Sequence, residues 1–159
     1  MLSYIGCREI KMRLACVLMV MIAVEASAPA APSPGTPIGR AKIVTGKVSV
    51  VRGGNTTAIK TGDNILEHDV FETGPDGSLG ITFSDNTSFA VGPNSNVAVD
   101  TYFFDPKNLK GNLTAKLKKG TMMVRSGELT RQNPGSVQIK TPRTVLGVRG
   151  TTFVVSVDE

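Results

Sequence analysis

The chain has no tryptophan, one histidine and two cysteines, and aromatic residues make up 5% of it. A histidine-based catalytic triad, a histidine-cluster metal site and a disulfide framework all need more of these residues, or closer spacing. There is no Gly-x-Ser-x-Gly nucleophile elbow, no glycine-rich phosphate loop and no repeated calcium-binding signature. His68, in Glu67-His68-Asp69, lies near Asp63 and Glu72. That spacing matches no ligand motif, so the stretch reads as a solvated turn. The chain is therefore expected to be non-enzymatic, with no catalytic residues, no cofactor and no metal. Long apolar runs are also scarce. What is present is 159 residues with an ordinary hydrophobic share of 40%, enough for one folded domain.

The longest apolar run, Leu14 to Val24, is too short for a membrane span, which needs about 20 residues. Arg8, Lys11 and Arg13 precede it, and Ala26-Ser27-Ala28 follows with small residues at the right spacing. Residues 1–28 read as a signal peptide cleaved after Ala28, with Met12 as an alternative start. The chain is thus expected in the periplasm or secreted, with no retained transmembrane helix. Cys7 and Cys16 both fall in this segment, so the exported part has to hold together without disulfides. Residues 29–40 carry several prolines and read as a linker, and residues 41–159 as the folded domain.

From Ala41 onward, short apolar-alternating runs are separated by Gly, Asn, Asp and Pro. Leu79, Ile81 and Phe83 share a face, as do Leu113, Ala115 and Leu117. Val137 pairs with Ile139 in the same way, and Phe153 with Val155 and Val157. Period two marks half-buried strands. Asp76-Gly77, Asp85-Asn86, Pro93-Asn94 and Pro134-Gly135 supply the turns. The expected class is all-β, with short twisted strands in an irregular β-solenoid or β-sandwich-like domain.

Charge is sharply divided. Between Lys60 and Asp105 stand one base and eight acids; between Lys107 and Arg149 stand ten bases and one acid. Such halves either neutralise each other across strands or form a bipolar surface whose basic part meets an anionic partner. Lys116, Lys118, Lys119 and Arg125 are the candidate partner-binding cations. Tyr102-Phe103-Phe104 is the one aromatic cluster and reads as core or sheet edge, or else as a binding platform. Nucleic acid is not expected as the partner, because the basic region offers few aromatics for stacking and an exported chain seldom meets it. An envelope protein or an anionic envelope polymer is.

The order of these runs resembles the FecR-type domain of bacterial envelope proteins. The matching residues are Gly46 to Gly53, Thr61-Gly62-Asp63, Thr73 to Gly77, Gly80 to Thr87, Gly92-Pro93-Asn94-Ser95 and Thr141 to Thr151. The last block, Thr141-Pro142-Arg143-Thr144-Val145-Leu146-Gly147-Val148-Arg149-Gly150-Thr151, is the most specific. Asn86 departs from the pattern, standing where the family turn usually has glycine; Asn enters the left-handed region readily. The resemblance implies an envelope binding or signalling module. Founding members look like membrane-spanning regulators that pass a signal to a sigma factor, and that relay is not expected of this chain alone. A glycan-associated structural or adhesion protein is the alternative. The motif residues Gly62, Asp63, Gly92, Pro93, Asn94, Thr141 and Pro142 read as turn scaffold. Gly147 and Gly150 read as a close backbone approach or bulge, Thr151 as scaffold, and Arg149 as capping carbonyls or pairing with an upstream acid.

Overall fold

The computed structural model describes residues 35–149 and 152–158. The expected signal peptide, the linker up to residue 34, Gly150 and Thr151 lie outside the described residues. No helix among the described residues is long and apolar enough to cross a membrane.

The strands are β1 (Gly39–Thr45), β2 (Val48–Arg52), β3 (Asn55–Ala58), β4 (Asn64–Ile65), β5 (Val70–Thr73) and β6 (Ser78–Phe83). After them come β7 (Ser88–Val91), β8 (Asn96–Asp105) and β9 (Lys110–Arg125). A short helix, α1 (Glu128–Gln132), then leads to β10 (Val137–Lys140), β11 (Val145–Gly147) and β12 (Thr152–Val157). The all-β expectation holds, with α1 the one helix among the described residues. The strands join edge to edge in the order β3-β2-β5-β8-β9-β7-β6-β1-β4, a sheet curled into a half-barrel.

The alternation read from the sequence sets the buried face. Leu79, Ile81 and Phe83 of β6 are buried, while Ser78, Gly80 and Thr82 between them are half-exposed. Val137 and Ile139 of β10 are buried in the same way. With Phe71, Phe89, Val97 and Val99 these side chains form one core. Each large apolar side chain in it contributes about 1.5–3 kcal/mol by leaving water.

β9 is the spine. β8 pairs antiparallel with its first part, from Lys110 to Lys119, and β7 with its last part, from Met122 to Arg125. β10 joins it in parallel over Leu113–Lys116, and β12 antiparallel over Gly120–Arg125. Along β9 the buried positions are Leu113, Ala115 and Leu117, and then Met122 and Val124. The phase shifts by one residue between them. Gly120 lies in that gap with φ +89°, and the β8 register slips beside it. A bulge of this kind bends a strand and re-aims its faces.

The expected boundary between linker and domain moves. β1 begins at Gly39, and Ile38 is buried in the core. A Cβ on Gly39 would stand 2.7 Å from the carbonyl oxygen of Thr82, so only glycine lets β1 approach β6 this closely.

Candidate functional site

The outward positions of β9 alternate with its buried ones, which places Lys116 and Lys118 on the outer face. The parallel register sets Lys140 of β10 directly beside Lys116, and Gln138 beside Thr114. Like charges in neighbouring register positions cost stability. Asp100 offsets part of that cost, its carboxylate lying 3.7 Å from Lys116 Nζ. Just beyond β10, Thr141–Thr144 closes the turn to β11: Thr141 N–H donates to Thr144 C=O at 2.8 Å, and Thr144 N–H donates to Thr141 Oγ1 at 3.1 Å. That turn presents Arg143 to solvent. Between it and the end of β12 runs an open cleft of about 460 Å³, lined by Lys118, Arg143, Leu146 and Asp158 among others. The fold thus gathers Lys116, Lys118, Lys140 and Arg143 along one strip.

Lys119 and Arg125, predicted with these cations, stand elsewhere. Lys119 lines a separate recess with Asn94 and Gly120. Arg125 lies past the Gly120 bulge, exposed beside Thr152 of β12. Lys140 and Arg143 were not singled out for binding. Their signal was present only as part of the basic half, because β10 meets β9 through a parallel pairing that local patterning does not reveal.

The two charged halves do meet across β8 and β9, where Asp100 faces Lys116 and Asp105 is the register partner of Lys110. The strip on β9 and β10 nevertheless keeps more cations than acids.

The aromatic cluster divides by role. Tyr102 stacks on Phe83 with ring centroids 5.4 Å apart. Its hydroxyl donates to Asp85 Oδ1 at 3.2 Å and accepts the Asp85 N–H at 3.0 Å. Burial, then the Asp85 charge, push the phenol well above its ordinary pKa. Phe104 packs half-buried on the core, and Phe103 is 59% exposed. These three rings, with Leu66, Glu67 and His68, line a cleft of about 610 Å³. His68 is exposed on a left-handed turn, φ 66°. Two neighbouring acids are engaged by other partners: Asp69 receives two bonds from Arg52 at 2.7 Å, and Asp63 accepts the Lys60 N–H at 2.8 Å.

The remaining motif residues form scaffold. Gly62 is left-handed, and its N–H donates to Ala41 C=O while Asp63 C=O accepts from Ala41 N–H. Gly92 N–H donates to Thr121 C=O, and Gly92 C=O accepts the Thr73 hydroxyl at 2.7 Å. Pro93 begins the turn, and Asn94 follows in the left-handed region with φ 50°. Pro142 sits exposed in the β10–β11 turn. Two expectations are corrected. Nothing approaches within 4 Å of a Cβ placed on Gly147, so that glycine marks no close contact. Arg149 is exposed and makes no ion pair or side-chain hydrogen bond with the described residues.

A family model described as "FecR protein" matches residues 69–159. Among solved structures, one described as "Cell surface anchoring domain" is 34% identical; the match covers 40% of this chain and 86% of that chain, with a TM-score of 0.39. No curated protein matches the chain.

Proposed function

The chain belongs to the FecR protein family, and on that premise we propose that it is an exported, non-enzymatic binding and signalling module of the bacterial cell envelope. Its partner is an acidic protein surface, met by the strip of Lys116, Lys118, Lys140 and Arg143. The observation that carries this reading is the Lys116–Lys140 register pair. Two adjacent lysines with one nearby acid cost the free domain stability, and an anionic partner relieves that cost. The non-enzymatic part is supported by the buried carboxylates. Asp69 is occupied by Arg52 and the Leu66 N–H, and Asp85 by Thr87 and Tyr102.

Capture from envelope extract tests the reading. The chain should retain a protein that elutes as salt rises, and the Lys116→Glu, Lys118→Glu, Lys140→Glu variant should lose it. Retention unchanged in that variant sinks the assignment of this strip. Co-sedimentation with purified anionic polysaccharide, and no protein captured, would replace the reading with the glycan-associated alternative.

A further inference from the structure

The outer edge of β12 carries no strand among the described residues. Among the described residues it pairs only with β9, along one side. Its sequence, TFVVSV, holds no charge, no proline and no glycine. Edge strands are ordinarily kept short, charged or bulged, because an open row of backbone donors and acceptors recruits another strand. The other sheet ends follow that rule: β4 has two residues, β11 has three, and β3 is a four-residue run, Asn-Thr-Thr-Ala, exposed throughout. β12 is six residues long and does not follow it.

Its core face is also incomplete. Val124 and Met122 of β9 are fully buried, whereas Phe153 and Val157, on the same face one strand further out, are only half-buried. Outward, Val154 is 62% exposed.

We propose that this edge is the interface between two copies of the chain, paired antiparallel through β12 about a two-fold axis at Val155. Antiparallel partners have to present the same face, which restricts the register to alternate positions. With the axis at Val155, Phe153 opposes Val157 of the second copy, completing the half-buried face with an aromatic and β-branched pair. Val154 opposes Ser156, and Thr152 opposes Asp158 of the second copy. The charges fit the same register. Arg125 is the β9 partner of Thr152, exposed on the outer face, and Asp158 follows the strand at its opposite end. The two-fold therefore sets the Arg125 end of each copy against the Asp158 end of the other, twice. A strand so matched to itself favours a second copy over an unrelated sheet.

Sedimentation of the chain over a wide concentration range tests this. A monomer–dimer equilibrium is expected. Asp158→Arg and Arg125→Asp, both exposed, should each weaken the dimer about tenfold or more, and the double variant should restore it. Circular dichroism checks that the variants fold. A chain that stays monomeric at every concentration overturns the proposal. A dimer indifferent to the single changes places the interface elsewhere and overturns it too. Weakening without restoration in the double variant overturns the register.

Discussion

Asp85 is buried, and its carboxylate accepts the Thr87 hydroxyl at 2.5 Å, the Thr87 N–H at 3.3 Å and the Tyr102 hydroxyl at 3.2 Å. This turn is held from both sides, since Gly127 N–H donates to Thr87 Oγ1 and Glu128 N–H to Asp85 C=O. The Tyr102 phenol beside it has its pKa raised by burial and by the Asp85 charge. A folded-state pKa above the unfolded value of about 10 contributes stability that is fully present below that pH. The contribution is lost as pH rises above it. Melting temperature should therefore fall more steeply between pH 9 and pH 11 in the unaltered chain than in Tyr102→Phe; parallel slopes would remove the linkage. The second buried carboxylate, Asp69, accepts from Arg52 Nε and Nη2 at 2.7 Å and from the Leu66 N–H at 2.8 Å. Asp69→Ala leaves the Leu66 N–H without its acceptor and leaves Arg52 only the Asn64 C=O. It is expected to cost about 2–4 kcal/mol in a denaturant melt, at the lower end because Arg52 keeps part of its hydration.

Among the elements, β9 depends on one residue that breaks its own pattern. Gly120 has φ +89°, and a Cβ there would stand 2.1 Å from Ser95 Oγ. Gly120→Ala meets both a backbone penalty and a clash, and is expected to cost more than about 2 kcal/mol. Gly147→Ala, with open space around it and no positive φ, should stay within about 0.5 kcal/mol. Chemical denaturation of the pair checks both, and equal losses would contradict the bulge. The same contrast shows what the residues alone revealed. The faces of β6, β10 and β12 were legible, because period-two alternation is local and Leu79, Ile139 and Val155 fall on it directly. The turns at Asn86 and Asn94 were legible for the same reason, each being a residue that tolerates positive φ. The phase shift in β9 was hidden, since a glycine between strands and a glycine inside a bulged strand read alike. The grouping of Lys140 and Arg143 with Lys116 was hidden as well. It arises from a parallel pairing between segments more than 20 residues apart, which no local pattern encodes. The role expected for Arg149, capping carbonyls or pairing with an upstream acid, was not legible either, since a motif position does not say which groups its side chain reaches.

For the molecule as a whole, stability is expected to be unevenly spread, and β9 sets the gradient. It is held by β8 and β7 along its length, and by β10 and β12 in addition. Its buried residues, from Leu113 to Val124, sit in the same core as those of β6 and β8. Opening β9 breaks four pairings and exposes that core, so its amides can exchange only when the domain unfolds. Among the described residues β3 and β11 each pair with a single neighbour, and β3 buries nothing. β3 can detach without disturbing the core, and β11 withdraws from it only the half-buried Leu146, so their exchange reports local opening of far lower free energy. Native-state hydrogen exchange should then show Ala115 and Met122 amides approaching the global unfolding free energy. Thr56 and Leu146 amides should exchange many-fold faster. Adding denaturant should bring the slow set into line with global unfolding and leave the fast set nearly unchanged. Equal protection across β3 and β9 would mean that the curled sheet opens only as one unit, contrary to this gradient.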